Sequence, residues 1–344
     1  MLYTPWWNHE VLAGVGCIAE LSDRMTVRAK IEGKVWHVYP GNETPEWRRA
    51  KTSIWVDQAC GTYKVDDAVN PKLSITAGYF IFKYNDEVRD LCDYLYRSGT
   101  YPGLLYNSLD FPAARLLGFD FTTKLCNNKF TNDLMVTEQS EVWPFGDISI
   151  SDVASYKFSD IFKIGGGIDF ANIIPANDKI TTPKSSTDST VDRVIDHYDS
   201  TGNPVYSTDY YTFKATKLMG HFTFDPKPLL GDASIFGPED GKFYGEIAVI
   251  GTKNYGFLYS KISERMPMML GFNVPTFKLF DCLALECEYY SSPYPPDVTG
   301  IVQNGMPLPF IPSAASSWNA SSTRRFRNRS LIILSWIGIH FRMR

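Results

Sequence analysis

The residues best placed to act on a solute form a row of charges in the stretch RMTVRAKIEGKVW, residues 24–36. Arg24, Arg28, Lys30 and Lys34 recur at even spacing, and Glu32 interrupts them. Residues two apart on an extended chain point to the same side, so the row would place positive charge along one wall. Charged rows of one sign select ions. The row therefore predicts an electrostatic role in the passage of solutes.

A second set of charges lies in the long connection at residues 85–113. Its charged members are Asp86, Glu87, Asp90, Asp93 and Arg97. Folded inward, this segment would form a constriction whose carboxylates oppose the basic row, and the two would produce a transverse field across a lumen. The alternative interpretation stays open, in which the acidic segment points to water and the basic row is only a hydrated lumen.

Enzymatic chemistry has little support in the sequence. Glu286 and Glu288 share one face of a predicted strand, as a carboxylate pair for glycoside hydrolysis would, but adjacent acidic residues are also common as solvated groups. The run of three glycines at 165–167 precedes no helix start, so it does not predict a phosphate loop. No G-x-S-x-G motif occurs. We predict no enzyme and no catalytic residues.

Metal, cofactor and nucleic-acid sites are not predicted either. The 5 histidines have neither H-x-x-x-H nor H-E-x-x-H spacing, so the sequence lacks the usual zinc-binding motifs. The 6 cysteines include no C-x-x-C, and Cys282 and Cys287 fall on opposite sides of one strand, so we interpret the cysteines as packing residues. The net charge of -4 argues against a nucleic-acid partner.

The element that carries the basic row is a long strand with two chemically different sides. Met25, Val27, Ala29, Ile31 and Val35 oppose the charged residues. Globular strands usually run about five or six residues, whereas a tilted strand needs about nine to eleven to cross a bilayer. An apolar side of that length suggests a wall with lipid outside and water inside. The competing interpretation is a solvent-facing hairpin of a soluble β-protein.

The same alternation recurs along the chain. Twelve strands are predicted, at residues 11–21, 24–36, 52–63, 73–84, 114–123, 130–138, 147–156, 161–171, 210–224, 242–252, 266–274 and 279–290. The pore-lining set therefore extends to Lys163 and Asp169 on the eighth strand, Glu246 on the tenth, and Glu286 and Glu288 on the twelfth. Lys217 falls on the same side as Tyr211, Phe213 and Ala215, which interrupts the pattern.

The connections between these strands alternate between tight and long, with residues 225–241 as an exception. Transmembrane barrels have short turns at one end and long loops at the other. Aromatic residues make up 15% of the chain, which suits girdles at two membrane interfaces. We predict one barrel domain over residues 1–312, with a mobile loop at 172–209. The tail at 313–344 is either a last strand or sequence foreign to the barrel.

Three stretches resemble Gram-negative outer-membrane porin-like barrels: LSITAGYFIFKYNDEVRDLCDYLYRSGTYPG from residue 73, DGKFYGEIAVIGTKNYG from 240 and MPMMLGFNVPTFKLFDCLALECEYYSSPYP from 266. The resemblance implies an antiparallel transmembrane β-barrel of about 12–16 strands in the outer membrane. It further implies a passive channel for small polar or charged solutes, surrounded by outer-membrane lipids and forming a homo-oligomer such as a trimer.

Two features depart from the resemblance. The start, MLYTPWWNHE, lacks an export signal, and Phe341 lies three residues before the end where a final aromatic residue is expected. We therefore expect that the termini are incomplete or that the outer-membrane assignment is wrong. Two other functions stay open: a closed barrel with a structural or adhesive role, and a soluble all-β carbohydrate-active protein.

Overall fold

The structure is a computed structural model that describes residues 7–39, 51–82, 85, 87, 114–140, 145–176, 195–206, 215–230, 235–249, 251–252, 261–266, 268–279, 282–290, 331–334 and 338–340. The strands are β1 (Trp7–Ser22), β2 (Met25–Tyr39), β3 (Lys51–Lys64), β4 (Leu73–Phe82), β5 (Ala114–Leu125), β6 (Phe130–Glu138), β7 (Ile148–Lys157), β8 (Phe162–Ile174), β9 (Ile195–Tyr198), β10 (Pro204–Tyr206), β11 (Ala215–Phe224), β12 (Phe243–Val249), β13 (Met268–Asn273), β14 (Cys282–Tyr290), β15 (Leu331–Leu334) and β16 (Gly338–His340).

One 14-stranded sheet dominates the described part of the chain. Its order is β1-β2-β3-β4-β5-β6-β7-β8-β11-β12-β13-β14-β15, and β16 also pairs with β14. Neighbouring strands in the sheet are antiparallel. The predicted fold class, an all-β antiparallel sheet of about 12–16 strands, is confirmed. No helix in the described ranges is long and apolar enough to cross a membrane.

The two faces of this sheet differ sharply in burial. On one face, Val15 is 81% exposed and Ile54 is 75% exposed, whereas on the other Met135, Ser151 and Tyr244 are fully buried. Since the described residues form essentially a single layer, burial of one face indicates that the sheet curves around it. We call the buried side the inner face and the exposed side the outer face.

Two local features of the strands make room for large side chains on the inner face. In β3 the register against β2 shifts between Val56 and Gln58, which leaves Asp57 as an extra residue. In β8, a Cβ at Gly165 would lie 2.1 Å from Nε2 of His221 on β11. Only glycine leaves room for the imidazole there, so the three-glycine run is explained by close packing rather than by phosphate binding.

The connections at the two ends of the sheet alternate as predicted. At one end, which we call the short-turn end, they are residues 23–24, 65–72, 126–129, 158–161, 225–242 and 274–281. At the opposite end they are residues 40–50, 83–113, 139–147, 175–214, 250–267 and 291–330. The one long member at the short-turn end, 225–242, is the exception already visible in the sequence.

The predicted mobile loop at 172–209 contains regular structure. β8 continues to Ile174, and β9 and β10 form a separate two-stranded hairpin. The carboxylate of Asp199 accepts hydrogen bonds from the backbone N–H groups of Thr201 (2.9 Å) and Asn203 (2.8 Å), which closes the turn. Polar composition alone hid this hairpin, because turn-forming residues also make a sequence look unstructured.

The tail contributes the last strand of the sheet. Leu331 pairs with Tyr290 and Leu334 with Cys287, whereas Gly338 pairs with Ala284, so the register shifts by one residue between β15 and β16. Residues 331–334 and 338–340 of the tail are strands in this structure, and the final-strand interpretation of residues 313–344 stays a prediction. The packing interpretation of the cysteines fits buried Cys60 but is wrong for Cys17 and Cys126, which are exposed free thiols.

Candidate functional site on the inner face

The predicted basic row lies on β2 and on the turn that precedes it. Arg28 is exposed, Lys30 and Lys34 are half-buried, and Glu32 is buried. Arg24 lies in the β1–β2 turn, where its guanidinium donates a 3.4 Å hydrogen bond to the carbonyl of Val65. The row is therefore continuous along the strand, but its members have very different access to water.

The middle of the basic row belongs to an ionic network that the sequence analysis missed. Lys30 Nζ contacts Glu32 and lies 2.8 Å from Asp57 Oδ2. Arg115, at the start of β5, donates from Nε to Asp57 Oδ1 (2.9 Å), and its Nη2 lies 3.6 Å from Glu32. Its guanidinium also lies over the ring of Trp55. Two cations and two carboxylates balance here, so this wall is less positive than its sequence indicates.

The β7–β8–β11 wall carries a second ion pair. Asp169 Oδ2 lies 3.6 Å from Lys217 Nζ, and Asp169 Oδ1 accepts a 2.7 Å hydrogen bond from Ser151 Oγ. All three residues are buried. Lys217, which interrupted the predicted alternation, is thus the cross-strand partner of Asp169. The signal was present in the sequence as a lysine on the same row as His221 and Thr223.

Lys163 and Glu246, the other predicted residues of this wall, also lie on the inner face. Lys163 pairs in register with Lys157 on β7 and with Thr223 on β11. Glu246 is buried and stands opposite His221. Lys157 and Lys163 therefore lie together at the short-turn end. Further along the strands, Glu246 stands opposite His221.

Two additional carboxylates lie between the walls, on β5 and β6. Asp120 is buried, its Oδ2 accepts a 3.2 Å hydrogen bond from Thr122, and Asp133 stands opposite Thr122 in register. They were missed because β5 and β6 carry few other charges and their alternation is weak. With them, the described inner face holds anions and cations in comparable number.

Glu87 lies near the start of the predicted constriction segment and contacts a residue next to a distant strand of the sheet. Glu87 follows β4, yet its carboxylate lies 3.2 Å from Lys242 Nζ, immediately before β12. Burial acts to lower the pKa of Lys242, but the charges of Glu87 and Glu239 outweigh it and raise that pKa. Asp86, Asp90, Asp93 and Arg97 lie outside the described residues.

Asp240, two residues before Lys242, is held by several hydrogen bonds. Asp240 accepts hydrogen bonds from the N–H groups of Gly237 (2.8 Å) and Phe277 (3.0 Å) and from the hydroxyl of Thr276 (3.0 Å). Burial raises the pKa of Asp240, but these hydrogen bonds more than compensate and hold it below its usual value. Asp240 therefore joins the 225–242 connection to the β13–β14 turn.

The strand register places Glu286 and Glu288 at inner-face positions, opposite Gly271 and Met269. The structure describes their backbone but not their side chains. Within the described ranges, no group of three or more His, Cys, Asp or Glu residues could hold a metal ion.

Part of the inner face is apolar rather than charged. A cluster of buried side chains crosses seven strands and is formed by Cys60, Phe80, Leu116, Met135, Val153, Met219 and Ala248. Each is at most 6% exposed. The described inner face therefore carries both charged clusters and an apolar band.

Aromatic rings concentrate on the outer face near the short-turn end. Tyr156 and Phe158 pack edge to face at 4.8 Å, and Phe243 stacks on Phe272 at 4.4 Å and lies 6.4 Å from Phe224. These rings lie within a few residues of the strand ends at Lys157, Phe224 and Phe243. A band of rings at this height is typical of a membrane interface.

Comparisons with known proteins find similarity in structure but not in sequence. No family model matches the chain, and no curated protein is significantly similar to it in sequence. The chain is similar to the solved structure of Salmonella typhi OmpF in complex with daunomycin, with 12% identity and a TM-score of 0.41. The similarity covers 81% of this chain and 70% of that chain.

Proposed function

We propose that the chain is an outer-membrane porin-like channel of a Gram-negative bacterium that lets small polar or charged solutes pass. The observation that carries this proposal is the contrast between the faces of one curved sheet. Outer-face Ile31, Ile247 and Leu285 are 55%, 40% and 40% exposed, while inner-face Asp169 and Glu246 are 3% and 5% exposed. Apolar rows of this kind need a nonaqueous environment, which acyl chains provide.

Strand length and connection length support the same conclusion. β1, β2 and β3 contain 16, 15 and 14 residues, and a tilted strand crosses a bilayer with about nine to eleven. Short and long connections keep to opposite ends, as in outer-membrane barrels. A soluble sandwich would instead bury Ile31 and Ile247 between two sheets, and both are exposed.

The pairing of charges on the inner face favours weak selectivity. Lys30, Arg115 and Lys217 each lie beside a carboxylate, so the described part of the inner face has no long row of a single sign. Arg24 and Arg28 are the exposed cations of the predicted basic row. We further propose that outer-membrane lipids surround the outer face and that the chain forms homo-oligomers, with a trimer as the expected state.

Planar-bilayer recording tests the proposal. We expect discrete conductance steps with a small reversal potential in a KCl gradient. Replacing Arg28 and Lys30 together by Glu should move the reversal potential toward cation selectivity, because both positions line the same wall. Lys129→Glu, in the exposed β5–β6 turn, is the control for a general charge effect. An unchanged reversal potential in the double variant removes the basic row from the account.

A closed structural or adhesive barrel is the second candidate, and the apolar inner band is the observation that favours it. Seven apolar side chains are buried together on the inner face, as expected for a filled interior. Heat-modifiable migration on a gel together with the absence of conductance steps would support this candidate over the channel. A chain that migrates identically before and after heating would instead favour a soluble all-β protein.

A further inference from the structure

Lys242 connects parts of the chain that are far apart in the sheet. Its ammonium donates to both carboxylate oxygens of Glu87, at 3.2 and 3.3 Å, and to both of Glu239, at 3.2 and 3.3 Å. Glu87 follows β4, whereas Lys242 precedes β12, and β5, β6, β7, β8 and β11 lie between these strands. A contact this short between such distant strands requires the backbone near Glu87 to cross the inner face.

Local hydrogen bonding fixes the Glu87 side of this contact. Asn85 is 1% exposed, and its Oδ1 accepts a 3.2 Å hydrogen bond from the N–H of Glu87. A side chain that bonds to the backbone two residues on forms an Asx-turn. The turn orders the backbone of Glu87 and so sets where its side chain begins, and the contact with Lys242 holds the carboxylate.

The Lys242 side of the contact is attached to the wall. The carbonyl of Lys242 accepts a 2.9 Å hydrogen bond from Asn273, and Gly241 donates to the carbonyl of Asn273 at 2.9 Å. Lys227 Nζ donates to the carbonyl of Asp240 at 2.7 Å. Lys242 is therefore the fixed member of the pair, and Glu87 is the member that it holds.

We infer that Lys242 is a positioning residue that holds Asn85 and Glu87 across the inner face and thereby sets the free cross-section of the passage and the charge at that point. This inference rests on the proposed channel function. The Lys242 and Glu87 side chains are 15% and 19% exposed, so salt screens their attraction less than it screens a surface pair. A single ammonium serves two carboxylates, so its reversal leaves three like charges together.

A charge-swap cycle tests the inference with three variants: Lys242→Glu, Glu87→Lys and the double variant. Lys242→Glu should raise single-channel conductance and shift the reversal potential toward cations, because repulsion moves Glu87 away from β12. The double variant should return both quantities toward the wild-type values, since a lysine again faces two glutamates. Lys129→Glu is the matched control, because Lys129 is exposed in the β5–β6 turn, outside the strands, and should change conductance little.

Thermal unfolding of the same variants in detergent separates this inference from the channel proposal. We expect each single variant to lower the Tm and the double variant to recover it, whether or not the protein conducts. Coupled Tm values in a protein without conductance steps would refute the channel but keep the contact. Coupled Tm values with a conductance that is identical in all variants would overturn the positioning role, and uncoupled Tm values would overturn the contact itself.

Discussion

The first hairpin, β1–β2, and the β8–β11–β12 wall share the same alternating sequence pattern. Their inner-face side chains differ in burial. In β1, Val15 on the outer face and Ile18 on the inner face are 81% and 69% exposed. In β12, Ile247 on the outer face is 40% exposed, whereas Tyr244 and Ala248 on the inner face are 0% and 2% exposed. Alternation therefore divides each strand into two rows in both regions.

This difference shows that alternation assigns side chains to a face of the sheet but does not determine whether that face is buried. On the β8–β11–β12 wall, large inner side chains lie over glycines of the neighbouring strand: His221 over Gly165 and Tyr244 over Gly271. On β1, the inner-face glycines Gly14 and Gly16 face lysine and glutamate stems of β2. The wall packs against itself, while the hairpin presents long polar chains that stay in contact with water.

Removing a buried charge from the wall should have the largest effect. Lys217→Ala leaves Asp169 buried without its cation, which typically costs about 3–5 kcal/mol. The same change on the hairpin, Arg28→Ala, should stay within about 0.5 kcal/mol because Arg28 is exposed. Urea unfolding in lipid vesicles measures both. The double variant Asp169→Ala/Lys217→Ala should recover part of the loss, and no recovery would contradict the pairing.

A methyl group added to each region tests the packing directly. A Cβ at Gly165 would meet His221 Nε2 at 2.1 Å and the carbonyl oxygen of Ala154 at 2.8 Å, whereas at Gly16 the nearest atom is 3.4 Å away. Gly165→Ala should cost about 1–3 kcal/mol from overpacking, and Gly16→Ala should be neutral or stabilise by about 0.4–1 kcal/mol. Equal free energies of unfolding for the two variants would remove the contrast between the regions.

The smallest effect concerns the outer faces. Asn132 and Asp152 interrupt the apolar outer row of β6 and β7 and share a 2.6 Å hydrogen bond, whereas the outer row of β1 carries Val11 and Val15. Replacing both Asn132 and Asp152 by Leu should stabilise a membrane-inserted barrel by about 1 kcal/mol, because a carboxylate facing acyl chains is unfavourable. Asp160→Leu in an exposed turn is the control. A loss of stability in vesicles would indicate that this sector contacts protein instead of lipid.

Most of the fold could be predicted because it depends on a local property of the sequence. The period of two that separates Glu246 from Ile247 survives in the structure, and so does the alternation of connection lengths. Strand ends were less accurate where turn residues were absent. The hairpin of β9 and β10 escaped prediction since each strand has only four or three residues.

The candidate site was harder to predict because it depends on pairs that are distant in sequence. Asp57 and Arg115 are separated by 58 positions, and Lys242 and Glu87 by 155. Asp57 also lies at a bulge, where the parity of β3 changes and a simple count assigns the wrong face. The basic row was visible in the sequence, but the carboxylates that balance it were not.

The uneven lengths of the connections have a consequence for the order in which the sheet forms. Joining β1 to β2, β5 to β6 or β7 to β8 brings together ends separated by only a few residues, which takes little chain entropy. Joining β2 to β3, β4 to β5 or β8 to β11 requires ordering much longer spans, and such nonlocal pairing is slow. Preformed two-strand units are therefore the expected intermediates of assembly, and the zipping of one unit onto the next is its slow step.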